Sequence, residues 1–272
     1  MRLDLHVHST ASDGSWSPEA VVRGAAEGGL DVLALTDHDT SAGFGAAAST
    51  GRELNVQVIP AIEVSSSHIR RSVHVLGYFI DPEAPALVAY SGRAVNRREE
   101  RMRETLHLLV GEGVKVSYAA VEEQAGPDRV MIGRPHLAKA LVKAGYVSSV
   151  PEAFNRLIGD DRPAFVPTQL LSPADAVELI LASGGVPIWA HPPSDLVDAL
   201  LPNLLEAGLR GLEVYRPRHW QKYIPRYEDI CRSAGLLMSG GSDWHNPDYG
   251  ASLGDFFVSG DEVQDLLAVG GM

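Results

Sequence analysis

Apolar and polar positions alternate in two distinct periods along the first ninety residues. Short apolar runs cover residues 2–8, 31–36, 56–64 and 73–80, and each has the length and the Val, Ile and Leu content of a buried strand. Between them, residues 18–29 and 42–54 carry helical spacing. Ser17 supplies an N-cap and Pro18 occupies the first helical position. The alternation predicts parallel strands joined by crossover helices.

The rhythm breaks near residue 88. Residues 91–110 are dense in Arg and Glu with apolar residues at helical spacing, and further helices follow to about residue 157. Residues 90–165 therefore read as a helical insertion. The strand and helix alternation then resumes, with helices over 174–183, 196–207 and 223–234 and strands over 186–190, 212–215 and 236–239. Seven strands interleaved with helices predict an α/β protein, a distorted barrel of the β/α type. Residues 1–89 and 166–272 would form that barrel.

Composition narrows the class. At 272 residues with 45% hydrophobic and 21% charged residues, the chain can bury a full core. No run of about 18 apolar residues suggests a membrane span, and the first residues hold no apolar leader. One cysteine, Cys231, excludes an internal disulfide and suits a reducing compartment, so a cytoplasmic location is expected. The net charge of −12 argues against long nucleic acids and anionic membranes as partners.

The chemistry gathers at the strand ends. His6 and His8 stand two apart in the first strand and point to the same side, so both imidazoles reach one point. Asp13 follows in a loop. His38 closes the second strand, Glu63 the third, and His74 lies at the start of the fourth. His191 and the pair Asp243 and His245 follow later strands. Six of the ten histidines thus collect where a β/α barrel builds its sites. Polar residues closing apolar strands need partners. A set of His and carboxylate without thiolate suits Zn²⁺, Mn²⁺ or Fe²⁺. Nine candidate ligands are too many for one ion, so two or three divalent ions are implied. Adjacent metals favour in-line displacement at phosphorus.

The segments LHVHS (5–9), LTDHDT (35–40), AIEVS (61–65), HVLGY (74–78), AHP (190–192) and GSDWH (241–245) resemble, in order and spacing, the PHP family, named for polymerase and histidinol phosphatase. The resemblance implies a distorted (β/α)7 barrel and a trinuclear site. It implies that His6, His8, Glu63 and Asp243 hold a first ion, that Asp13, His38 and His245 hold a second, and that Glu63, His74 and His191 hold a third. Some members carry histidine where this chain has Asp13, which changes the charge of the second site. Asp37 and Asp39 would orient the ligand between them.

Within the family the chain looks most like stand-alone members that dephosphorylate nucleotides, of the AMP and 3′,5′-bisphosphate types, and like a related 5′-to-3′ exoribonuclease. IGRPHLAKALV (132–142), AFVP (164–167) and GLEVYRPRH (211–219) carry that likeness. The implied partner is a small phosphorylated substrate of nucleotide type. The implied activity is hydrolysis of a phosphate monoester at the metal ions, with histidinol phosphatase activity and a non-catalytic metal-binding domain as alternatives. Arg134 and His136 would grip the phosphate and, with Asp13, form the catalytic set. Arg216 and His219 are weaker candidates for substrate contact. The Arg/Glu run at 97–104 reads as a solvated helix face. Trp244 reads as a packing residue, and His68 and His107 as ordinary surface or structural histidines.

Overall fold

A computed structural model describes residues 1–126, 129–247 and 251–272, with the side chains of 218–220 outside the description. Among the described residues, eight strands form one sheet around the core. They are β1 (Arg2–Val7), β2 (Val32–Leu35), β3 (Gln57–His68), β4 (Arg71–Tyr78), β5 (Val186–Trp189), β6 (Gly211–Tyr215), β7 (Leu237–Gly240) and β8 (Val258–Ser259). The sheet runs β7-β6-β5-β4-β3-β2-β1-β8. Helices α1 (Pro18–Glu27), α2 (Phe44–Leu54), α7 (Pro173–Ala182), α8 (Val197–Glu206) and α9 (Ile224–Ala234) alternate with the strands, as the sequence spacing predicts. The Ser17 hydroxyl caps α1 by accepting from the Ala20 amide.

One expectation fails. The strands are not all parallel. β3 and β4 form an antiparallel hairpin from Ala61 opposite Tyr78 to His68 opposite Arg71, and β4 is antiparallel to β5 as well. Only two residues separate β3 from β4, which leaves no room for a crossover helix. The reversal matters for the site. The early part of β4 now lies at the same end as the late parts of its neighbours, so His74 sits across from Ser65.

The sheet curls back on itself. At its start β1 pairs with β8. At its end, the same strand pairs through Val7 with Trp244, beyond β7. The barrel core includes Leu3, Leu5, Ile62, Leu76, Ile188 and Trp189, all fully buried. Each such side chain contributes about 1.5–3 kcal/mol by leaving water.

The long helix α3 (Pro85–Gly111) opens the strand-free segment, followed by α4 (Tyr118–Ala125), α5 (Arg134–Lys143), α6 (Val150–Ala153) and a π-turn over Phe154–Ile158. α3 spans about 40 Å at 1.5 Å per residue. Its buried stripe is Leu87, Tyr90, Ala94, Arg98, Met102, Thr105 and Leu109, a spacing of three and four that keeps one face inward. Leu87, Tyr90 and Ala94 pack into the barrel core, whereas Met102 and Leu109 belong to a second core with Leu137, Leu141 and Ile158. One helix therefore joins both cores, and it begins before the boundary expected at residue 90. No helix among the described residues is long and apolar enough to cross a membrane. α10 (Gln264–Val269) closes the chain against the barrel core through Leu266 and Leu267.

Candidate metal centre

The ladders run past the strands and deliver the side chains. Asp39 donates its amide to the Glu63 carbonyl at 2.9 Å, and His38 bridges to Glu63, so the loop after β2 is zipped to β3. The loop after β7 is zipped to β1 in the same way. The Asp243 amide donates to the His6 carbonyl at 2.8 Å, and the His8 amide donates to the Trp244 carbonyl at 2.9 Å. Close approach requires glycine at two points. A Cβ on Gly241 would stand 2.4 Å from the His6 nitrogen, and one on Gly14 would stand 2.4 Å from the His8 carbonyl oxygen. His191 and Asp243 adopt positive φ of 31° and 57°. Such backbone is uncommon outside glycine and is held here by the surrounding pairing.

Six histidines and three carboxylates meet where these loops converge. His6 Nε2 lies 3.3 Å from Glu63 Oε2 and 3.4 Å from Asp243 Oδ1. His8 Nε2 lies 3.2 Å from Glu63 Oε2 and 3.4 Å from Asp243 Oδ1. Atoms coordinated at about 2.0–2.2 Å around a tetrahedral ion stand about 3.3–3.6 Å apart. The four histidine–carboxylate pairs, at 3.2–3.4 Å, come close to that spacing. His6 Nδ1 is 2.8 Å from Glu213 Oε1. With the proton there, Nε2 presents a lone pair to two carboxylates. Three acceptors facing one another need a cation.

A second group joins His8, Asp13, His38 and His245. His245 Nε2 is 3.4 Å from Asp13 Oδ1, and His38 Nε2 is 3.7 Å from Asp13 Oδ2. His8 contributes its other nitrogen, Nδ1, at 3.7 Å from Asp13 Oδ1. A third group surrounds Glu63. His74 Nδ1 and His191 Nε2 approach Glu63 Oε1 at 2.9 and 3.0 Å and each other at 3.3 Å. His38 Nδ1 is 3.0 Å from Glu63 Oε2. Glu63 thus faces five histidines from the centre. His8 and His38 stand between groups, which the grouping implied by the family resemblance does not contain.

Buried polar atoms test whether metal fits. His6 Nε2, both ring nitrogens of His8, His38 Nδ1 and Glu63 Oε2 are buried with no hydrogen-bond partner among the described residues. Leaving such atoms unsatisfied costs about 1–3 kcal/mol each. All five belong to the convergence point, and cations there would satisfy all five. Electrostatics agree. Burial acts against a charge on His8, yet Asp243 and Glu63 raise its pKa to about 10. Burial likewise disfavours ionised Glu63, yet His38, His6 and His74 hold it well below the ordinary range. The surroundings call for positive charge, and a metal ion supplies it while displacing the histidine protons.

Carboxylates behind the ligands hold them in place. Glu213 accepts from His6 Nδ1 and, at 2.6 Å, from the His191 amide. Asp4 accepts from the Ser242 amide at 2.8 Å and the Ser242 hydroxyl at 2.6 Å, and so anchors the loop that bears Asp243. Burial pushes Asp4 up to about 6. Asp37 accepts from the Ser9 amide and from the hydroxyls of Ser9 and Ser12. Asp39 accepts from Arg98 Nη2 at 2.6 Å and from the Ser65 amide at 2.6 Å. Asp37 and Asp39, on either side of His38 in the chain, thus bond to the β1 loop and to β3 and α3. Asp4, Glu213 and Arg98 escape a reading of the sequence. The signal for the first two was present: a carboxylate within each of the apolar strands LDLHV and GLEVY.

The solvated-face reading of 97–104 is corrected. Arg98 is 7% exposed and lies in the buried stripe of α3. Arg101 points inward as well, donating from Nε to the Val166 carbonyl. Glu100 and Glu104 remain largely exposed. The stripe advances by three and four residues, so the inward face takes Arg98 and Arg101 and leaves the glutamates outside.

A cavity of about 910 Å³ opens over the ligands. Asp13, His38, His74, Asp243 and His245 line it, together with Arg98, Arg101, Arg134 and Arg216. Arg134 pairs with Asp160 at 2.9 Å. Arg216 pairs with Asp243 at 3.0 Å. His136 is 2% exposed and is not among the described lining residues. Its Nδ1 accepts from the Gly133 amide at 3.1 Å at the start of α5, and burial pushes its pKa down to about 4. His219 falls outside the described side chains. Trp244 is buried and packs on Trp16, as expected.

The PHP domain profile matches residues 4–126. The chain is 37% identical to the phosphoribosyl 1,2-cyclic phosphate 1,2-diphosphodiesterase of Eggerthella lenta, over 89% of this chain and 93% of that one. It is 34% identical to the 3′,5′-nucleoside bisphosphate phosphatase of Chromobacterium violaceum, over 91% and 88%. Among solved structures, one described as a metal-dependent phosphoesterase from Bifidobacterium adolescentis superposes with a TM-score of 0.86 at 28% identity, covering 98% of this chain and 95% of that one. With its distorted barrel and its converging histidines and carboxylates, the chain belongs to the PHP family of metal-dependent phosphoesterases.

Proposed function

We propose that this enzyme hydrolyses a phosphate monoester of a nucleotide, of the AMP or 3′,5′-bisphosphate type. The observation that carries the metal-dependent part is the set of five buried ligand atoms without partners at one point. The nucleotide part rests on the likeness to the bisphosphate phosphatase.

Three ions of the Mn²⁺, Fe²⁺ or Zn²⁺ kind suit the nine side chains. His6, His8, Glu63 and Asp243 would hold one. Asp13, His38 and His245 would hold another, with His8 Nδ1 beside them. Glu63, His74 and His191 would hold the third. When bound, such ions supply charge neutralisation at phosphorus and an activated water at neutral pH. The chain's own residues do the rest. Arg134 and Arg216 present guanidinium groups to the cavity, where planar donor forks match phosphate oxygens. Glu213 and Asp4 keep His6 and Asp243 aligned. His136, neutral at pH 7 and held in its cap, positions Arg134 at the start of α5. We place the insertion at residues 90–165, forming the far wall of the cavity, and the protein in the cytoplasm, where a lone buried thiol stays reduced.

The test is a substrate panel on metal-replete protein. It comprises AMP, adenosine 3′,5′-bisphosphate, histidinol phosphate, a phosphorylated ribose cyclic phosphate and a 5′-phosphorylated RNA oligomer. Metal-dependent release of phosphate from the nucleotides is expected to be fastest. Faster turnover of the cyclic diester or of the oligomer would move the assignment to a diesterase or an exonuclease. Inactivity on both nucleotides at full metal content would sink it.

A further inference from the structure

Arg134 reaches the cavity already held by its neighbours. Its Nη1 donates to the Asp160 carboxylate at 2.9 Å and to the Ile158 carbonyl at 3.3 Å, and its Nη2 donates to the Ser72 hydroxyl at 3.3 Å. Phe154 and Phe165 flank the guanidinium, with ring centres 5.6 and 5.3 Å from its carbon. Three of the five N–H donors of Arg134 are spent in this way, and the others remain for a ligand in the cavity. Asp160 is the charged partner in that set. Its influence extends to Arg101, whose guanidinium carbon stands 5.8 Å from the centre of Phe165. Burial, Arg134 and Arg98 act against the charge of Arg101, while Asp160 and Asp39 support it.

Local backbone geometry places Asp160. The π-turn over Phe154–Ile158 closes on Gly159, whose amide donates to the Phe154 carbonyl at 3.0 Å. A Cβ on Gly159 would collide with that carbonyl. Asp160 follows directly and reaches across to β4. There Oδ2 accepts from the Ser72 amide at 2.7 Å, and Oδ1 accepts from the Ser72 hydroxyl at 3.1 Å. The β5 ladder reaches β4 from Val75 onward, and before it the carboxylate takes the place of a strand partner. Ser72 and the candidate ligand His74 point to one face of β4, about 7 Å apart along the strand. Both line the cavity. Asp160 therefore fixes Arg134, on the insertion, relative to a candidate metal ligand on the barrel. Burial acts against its ionised form, but Arg134 and the Ser72 donors hold its carboxyl below the ordinary range.

We propose that Asp160 is a positioning residue for the hydrolysis: it aims the Arg134 guanidinium at the substrate phosphate and locks the insertion to the strand that bears His74. Asp160 is not among the described residues that line the cavity, so it acts through Arg134. The proposal deepens the phosphatase reading and rests on its placement of Arg134 at the phosphate.

The experiment is a double-mutant cycle on the metal-replete enzyme with AMP, using Asp160→Asn, Arg134→Gln and the two together. Asp160→Asn keeps the shape but turns one oxygen into an NH2 group, which cannot accept from Ser72 or Arg134. It is expected to lower kcat/KM about 10- to 100-fold, the scale of a charge-assisted hydrogen bond, mainly through KM. Arg134→Gln should lose at least as much, and the double variant no more than Arg134→Gln alone. Melting temperature and bound metal are measured on each protein. An unchanged kcat/KM in Asp160→Asn, or losses that add in the double variant, would overturn the positioning role. If Asp160→Asn does not fold, Ser72→Ala replaces it in the cycle. A smaller loss that disappears in the Arg134→Gln background then supports the role, and an additive loss or none overturns it. If AMP is not cleaved at full metal content, the phosphatase reading fails by itself. Calorimetric binding of inorganic phosphate to the same proteins then decides. Binding that Asp160→Asn weakens in wild type but not in Arg134→Gln supports the role, and additive, equal or absent binding effects overturn it.

Discussion

His6 Nδ1 and Glu213 Oε1 lie 2.8 Å apart, and both side chains are excluded from solvent. The contact fixes which nitrogen of His6 carries the proton and turns Nε2 toward Glu63 and Asp243. Glu213 also accepts from the His191 amide, so a single carboxylate on β6 holds elements of two ligand groups. Partners behind a ligand typically govern metal affinity by one to two orders of magnitude. Glu213→Ala should weaken binding of the tightest ion about 10- to 100-fold, and Glu213→Gln by less. Titration of activity and of bound metal against free metal concentration checks this. An unchanged affinity would show that His6 is oriented by other contacts.

Glu63 meets His6, His8, His38, His74 and His191. Glu63→Ala should therefore remove metal and nearly all turnover together, and His8→Ala should do the same. Elemental analysis alongside the phosphatase assay distinguishes loss of metal from loss of fold. Full activity with full metal content in either variant would refute the ligand assignment.

Arg98 and Asp39 form a buried ion pair at 2.6 Å that ties α3 to the loop bearing His38. Removing one partner leaves the other charge buried, which costs about 3–5 kcal/mol. Arg98→Met is expected to lose that much stability in urea unfolding. Adding Asp39→Asn should restore part of it, because the stranded charge is gone. A double variant no more stable than the single one would place the effect in packing alone.

His136 sets an acid limit on stability. Its folded pKa of about 4 lies below the ordinary value of 6.5 because burial disfavours the charged ring. The stability it leaves intact is fully present above pH 6.5 and falls as the pH drops toward 4, since only the unfolded chain takes up the proton in that window. The contribution is about 3 kcal/mol. His136→Asn, measured beside wild type from pH 7 to pH 4, should flatten the decline by that amount. Parallel declines would mean that His136 titrates normally in the folded protein.

Most of the architecture was legible because it follows from local patterns. The buried runs of β2 and β5 and the capped start of α1 follow from composition and spacing within about ten residues. The nine ligand candidates were legible for a related reason. A histidine or carboxylate that closes an apolar strand is a local anomaly, and anomalies at several strand ends point to one place. The reversal of β4 was not legible, because a hairpin and a crossover differ in a two-residue turn at positions 69 and 70, not in the pattern of either strand. The inward turn of Arg98 and Arg101 was hidden for another reason. A run of alternating charge looks solvated until the partner across the interface, Asp39 or the Val166 carbonyl, is known.

The sequence by itself determined the strands, the helices and the residue types able to bind metal, since these depend on neighbours in the chain. Tertiary structure decided how they meet. It put Glu63 between five histidines, placed Glu213 and Asp4 behind their ligands and turned Arg101 inward onto the Val166 carbonyl. Those outcomes depend on contacts between residues far apart in the chain, such as Glu213 with His6, and burial gives such contacts their energy by removing the water that would otherwise satisfy each group alone.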